Sequence, residues 1–178
     1  MREKYRGGKL NKKGKQSATM SLWDNLNYLN KLISQDPFSD RFTVVYNESG
    51  TTIRCAVIKS NRVIFEHKTY YYYAESEEEA YYLAGILNSD SVIEVLRKTG
   101  ILSERGIEKK VFELTIPLFD IHNTAHKKIS LMSKEISESL ENGGELDTED
   151  NVKRFSKINE LCKQIITGLP INSQNEVE

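Results

Sequence analysis

The chain has 178 residues, 38% hydrophobic and 29% charged, a balance that suits a folded domain with its own core and excludes a disordered polyelectrolyte. No apolar run is long enough to cross a bilayer, and residues 1–15 are polar and basic without the apolar stretch of a secretory signal. A cytoplasmic protein without a membrane partner is therefore expected. The net charge of −1 conceals a division: residues 1–70 hold thirteen Lys/Arg against six Asp/Glu, and residues 71–178 hold twelve against twenty. A basic half suits a polyanion partner, although lysine-rich ends are also often no more than solvated tails. Cys55 and Cys162 lie far apart, with no C-x-x-C pair and no His at ligand spacing. That argues against a structural zinc site and leaves a disulfide without support.

Residues 1–19 have no periodicity and mix Gly7, Gly8 and Gly14 with Lys and Arg, which reads as a mobile basic arm. Ser21 and Asp24 open a helix whose apolar positions are Leu22, Leu26, Leu29 and Ile33, and Asp36-Pro37 stops it. The period then changes to that of strands: Phe42–Tyr46, a turn at Asn47–Gly50, Thr51–Ile58, and, after Ser60-Asn61, Arg62–His67 with Thr69–Tyr73 continuing extended. This predicts a β meander of three or four strands. Ser76 and Glu79 form a capping box ahead of a helical stripe of Ala80, Leu83, Ala84 and Leu87. A shorter helix runs from Ser91 to Lys98 and ends at Gly100. A loop at Ser103–Gly106 precedes a strand expected over Val111–Ile116. Asn123 then opens a long helix carrying Ile129, Met132, Ile136 and Leu140. Gly143-Gly144 breaks it, and a last helix from Thr148 carries Val152, Phe155, Ile158, Cys162, Ile165 and Leu169. The matching apolar stripes and short connection predict an antiparallel pair. The expected fold class is α+β: a small β meander packed with helices, followed by a C-terminal antiparallel helix pair. The organisation is an arm over 1–19, an α+β domain over 20–120 and a helical extension over 121–178.

Catalytic signatures are scarce. There is no glycine-rich cofactor loop, and the isolated Pro37, Pro117 and Pro170 leave no Asn-Pro-Pro-aromatic tetrad to hold a flipped adenine. His67, His122 and His126 have no nucleophile partner and read as surface or capping residues. One enzymatic pattern remains: Glu66-His67-Lys68 with Asp36 or Asp40 upstream fits the D…(D/E)-x-K arrangement of Mg²⁺-dependent nucleases. There, two carboxylates hold the metal and the lysine orients water. Any strand ending in mixed charge produces the same letters. The run Tyr70–Tyr73 would send alternate rings to opposite faces of a strand, one pair inward and the other against sugars or bases. Arg54, Lys59, Asn61, Arg62 and Lys68 surround the meander, and Arg105, Lys109 and Lys110 crowd the later loop. With Tyr70 these are the candidate DNA-binding residues, since Arg and Asn suit base edges and Lys suits phosphates.

The segment from Tyr70 to Ser89 carries a more specific signal. With His67 and Thr69 before it, and with Tyr70, Tyr71, Glu77, Glu79, Ala80, Tyr82, Leu83, Ile86, Leu87, Asn88 and Ser89, it resembles the C-terminal target-recognition region of large adenine-N6 DNA methyltransferases, including fused modification–restriction enzymes. The resemblance continues through Arg105, Ile107, Lys109 and Leu114 to Ile116-Pro117, Phe119-Asp120 and His126, so that it covers about residues 40–135. It implies an α+β domain that reads a short sequence in double-stranded DNA, while a separate catalytic domain or subunit binds S-adenosylmethionine and methylates adenine. This chain lacks that domain, so it is expected to be non-catalytic alone and to hold no cofactor. The C-terminal helices are similar to spacer helices that dock such domains onto partner chains, and they would equally serve as a homodimer surface. The Mg²⁺-dependent nuclease and a helical protein-interaction module remain the alternatives.

Overall fold

β-branched and aromatic residues alternate through three strands, β1 (Thr43–Asn47), β2 (Cys55–Ile58) and β3 (Thr69–Tyr73). In this computed structural model, which describes residues 35, 40–59, 62–65, 68–100, 102–103, 106–107, 111, 114 and 116–166, they form one antiparallel sheet in the order β2-β1-β3. Val44 stands opposite Val57 and Tyr72, and Tyr46 opposite Cys55 and Tyr70, so these six residues share one face. The strands thus depart from the sequential order of a simple meander. Residues 59–68 are too long a connection for a tight hairpin, and they let the chain return on the other side of β1. Bonds from Glu48 N to Lys68 O and from Ala74 N to Phe42 O extend the β1–β3 ladder at both ends. The β1–β2 connection is organised by Asn47, whose Oδ1 accepts from Arg54 N and whose Nδ2 donates to Ser49 O and Thr52 O, around Gly50 at φ +130°.

Four helices follow: α1 (Glu77–Leu87), α2 (Asp90–Lys98), α3 (Thr124–Glu141) and α4 (Glu149–Ile166). The α+β class is as expected, and each helix starts at a side-chain cap. Ser76 accepts from Glu79 N, Ser89 from Val92 N, and Asn123 from Ala125 N and His126 N. Glu79 reciprocates one residue further out than a regular capping box, accepting from Glu75 N at 2.6 Å. Helix α1 lies between β1 and β2 on one side and α3 on the other, which buries Tyr81, Tyr82 and Ile86 as well as Ala80, Ala84 and Leu87. Leu83, expected in the core stripe, is only half-buried. Gly85 lets α1 and α3 approach: a Cβ there would collide with Ser133 Oγ and Ile129 Cγ2. Gly143, at φ +82°, begins the α3–α4 turn, and the buried Asn151 fastens that turn by donating to Ser139 Oγ and Glu145 O.

Two expectations change between α2 and α3. The loop at Ser103–Gly106 is a minimal hairpin of β4 (Leu102–Ser103) and β5 (Gly106–Ile107), anchored by Ile107 N donating to Glu48 O. The strand expected over Val111–Ile116 is absent at its described positions. Leu114 N donates to Val111 O and Ile116 N to Leu114 O, so local turn bonds take the groups a ladder would need. The chain divides into two compact units, Met1–Ser39 with Asn61–His67, and Asp40–Ser60 with Lys68–Glu178. In the first, Gln35 bonds the backbone of Phe65 in both directions, and Arg62–Phe65 forms no strand. The expected arm at 1–19 and the helix from Ser21 lie outside the described residues. Among the described residues no helix is long and apolar enough to cross a membrane.

Candidate nucleic-acid interface

Tyr82, Pro117, Phe119, Asp120 and His126, singled out in the sequence, meet at one place. Tyr82 of α1 donates from its hydroxyl to Pro117 O at 2.9 Å, and its ring lies 5.4 Å from that of Phe119 and 4.5 Å from that of His126. His126 Nδ1 accepts from Asp120 N at 3.1 Å, which leaves Nε2 as the protonated nitrogen, 3.4 Å from the Tyr82 hydroxyl. Helix α1, the Ile116–Asp120 segment and α3 are thus held by one chain of hydrogen bonds. Burial holds the His126 imidazolium form down, against a smaller opposing pull from Asp120. The expectation of a surface or capping histidine is therefore corrected: His126 is 5% exposed and packed in a three-ring cluster with Tyr82 and Phe119.

Asn88 has an equally structural task. Its side chain accepts from Cys55 N at 2.9 Å and donates to Cys55 O at 2.8 Å, so it pairs with the outer edge of β2 as a neighbouring strand would. Ser89, next in the motif, donates to Ile86 O and caps α2.

The candidate DNA-binding residues lie elsewhere. Arg54 is exposed at the end of the β1–β2 connection, and Lys68 is exposed just before β3. Lys59 reaches solvent at the end of β2, but its ammonium pairs with Glu77 at 3.3 Å and lies 5.5 Å from the centre of the Tyr81 ring. Glu77 also meets Lys134 at 2.9 Å; Lys134 first and Lys59 second hold its carboxyl below the usual range. That sharing reduces the positive charge Lys59 has to offer a phosphate. Tyr70, on the helix-facing side of the sheet, packs 5.2 Å from Tyr46 and donates to Glu48 Oε1. Burial and then Glu48 raise its pKa, so it remains a committed donor beside a carboxylate rather than an open stacking platform. Arg62 is exposed within the smaller unit, while Asn61, Arg105, Lys109 and Lys110 lie outside the described residues.

The alternate tyrosines do part as the strand period requires. Tyr70 and Tyr72 share the face of Val44, whereas Tyr71 and Tyr73 occupy the other, with rings 5.3 Å apart. Arg41 lies 5.6 Å over the Tyr73 ring, a cation–aromatic pair that the sequence reading missed. The signal was available in register: Thr43 opposes Tyr73, so a residue two before Thr43 lies on the same face.

Among the described residues no three His, Cys, Asp or Glu side chains gather as metal ligands, and of the proposed nuclease set Asp36 and Glu66 lie outside those residues. Both cysteines are unpaired thiols. Burial pushes them up, that of Cys162 to about 11, so neither is a thiolate nucleophile near neutral pH. No protein-family model matches the chain, and no curated protein matches it.

Proposed function

We propose that this chain is a sequence-specific recognition module for double-stranded DNA, working beside a separate adenine-N6 methyltransferase domain or subunit of a restriction–modification system. One observation supports the reading: Tyr82, from the first of the two segments that resemble such recognition regions, is hydrogen-bonded into a cluster with Pro117, Asp120 and His126 of the second. The exposed Arg54 and Lys68, with the net positive first seventy residues, supply the charge that a DNA partner needs. The interior cluster would set the position of the sheet and its loops, while the exposed cations make the contacts. The chain would supply recognition and its partner the methyl transfer from S-adenosylmethionine.

The test is selection from random duplexes by the immobilised chain, alone and with the cognate methyltransferase. A short enriched sequence supports the reading, and retention without sequence enrichment removes the claim of specificity. Calorimetric titration with S-adenosylmethionine should show no binding to the isolated chain; stoichiometric micromolar binding would contradict the division of labour.

A further inference from the structure

The turn end of the helix pair holds a cavity of about 430 Å³ between β2, α1, α3 and α4. Its wall includes the buried Ala84, Ile136 and Ile158 and the half-buried Phe155, while Leu140 and Leu146 line it with 38% and 55% of their surfaces still exposed. Water against so much apolar surface is unfavourable, and a ligand that covered it would gain the corresponding transfer free energy. The volume falls within the roughly 300–1,000 Å³ common for small-molecule sites.

The polar groups around this cavity narrow the ligand's chemistry. Arg54 is the one charged residue among those lining it, and its guanidinium has no ion-pair partner among the described residues. The amide of Asn88 is occupied by Cys55, and the Ser133 hydroxyl donates to Ile129 O. Tyr81, which also lines the cavity, is engaged by Lys59, whose ammonium lies 5.5 Å from the centre of its ring. An apolar chamber with one cation at its edge is complementary to an amphiphile with a single negative head.

We propose that this cavity binds a small amphiphilic monoanion of the medium-chain carboxylate kind, its apolar tail against Ile136, Phe155 and Ile158 and its head at Arg54. The site shares Arg54 with the DNA reading, but it rests on the cavity and would hold if that reading failed.

Decanoate below its micelle concentration is the probe, with decanol as its uncharged counterpart, followed by methyl NMR of the full chain. Decanoate should saturate at one per chain with Kd on the order of 0.1 mM. The shifts should concentrate on the methyls of Ile136, Leu140, Leu146 and Ile158. Arg54→Gln, at an exposed position, should weaken decanoate about fivefold and leave decanol unchanged. Ser137→Phe, which fills the chamber from α3, should abolish both. The proposal is overturned by shifts that do not saturate or that spread over other methyls. It is equally overturned by an Arg54→Gln chain that binds decanoate as the unaltered one does, or by a Ser137→Phe chain that still binds.

Discussion

Two regions of this molecule carry its most conspicuous residues and use them in opposite ways. Around Tyr82, Phe119 and His126, polar groups are turned inward and saturated by one another. Around Arg54 and Lys68, charged side chains stand in water at the ends of strands. In the first region the side chains of Tyr82 and His126 are buried and committed to partners inside the protein. The second contains the groups able to meet a phosphate, in positions that any solvated loop could share. Residues that stand out in a sequence can therefore be spent on the scaffold, while exposed charge lies elsewhere.

The sharpest separation of the two regions is by stability. His126→Ala removes a buried ring, strands the Asp120 N–H and loosens Ile116–Asp120; it should lower unfolding free energy by about 2–4 kcal/mol in urea titration. Its pH signature follows from the depressed imidazole pKa. The unfolded chain takes up the proton first, so the stabilisation is fully present above the ordinary value of 6.5 and is lost as pH falls below it through the folded pKa. His126→Ala should flatten that acid limb, and an unchanged limb would place the titration elsewhere. Asn88→Ala should lose about 2 kcal/mol by leaving both polar groups of Cys55 unpaired at a sheet edge. Hydrogen exchange should show the Cys55 amide losing protection before those of β1. For Gly85→Ala, gained helix propensity opposes the collision with Ser133 and Ile129, and the collision should prevail by about 1–2 kcal/mol. A stabilised variant would show that α1 and α3 have room to separate. Smallest of all, Arg54→Ala should change stability by less than about 0.5 kcal/mol, since its side chain is exposed and pairs with no acid among the described residues.

How far the sequence reaches differs along the same line. The helices from Ser76 onward were legible because caps and glycines are local signals: Ser76, Asn123 and Gly143 each act within one turn of their own position, whereas the cap of α2 is Ser89, two residues before the expected start at Ser91. Strand order was not legible, because nothing local in Thr69–Tyr73 states which neighbour of β2 it will pair with. The Val111–Ile116 strand failed for a related reason: its apolar run is equally satisfied by turn bonds and by docking of Val111 into the core. Of the candidate site, Arg54 and Lys68 are exposed as a contact residue must be. Lys59 and Tyr70 are drawn into pairs with Glu77 and Glu48, glutamates that lie 18 and 22 positions away in sequence. Position in the chain reveals a cation, but not the carboxylate folded against it. His126 escaped for the same reason, since its partners Tyr82 and Phe119 come from other segments.

The central claim is that the exposed cations, not the packed motif, meet DNA. Fluorescence anisotropy of a labelled duplex, titrated with the full chain across a range of salt concentrations, tests it most directly. Each phosphate neutralised by Lys or Arg contributes about 0.9 to the fall of log affinity with log salt. Replacing both Arg54 and Lys68 with Ala should therefore make the slope shallower by about 1.8, with the thermal midpoint unmoved. The contradicting result is equally plain: no binding even at low salt, or a slope that survives the loss of both side chains.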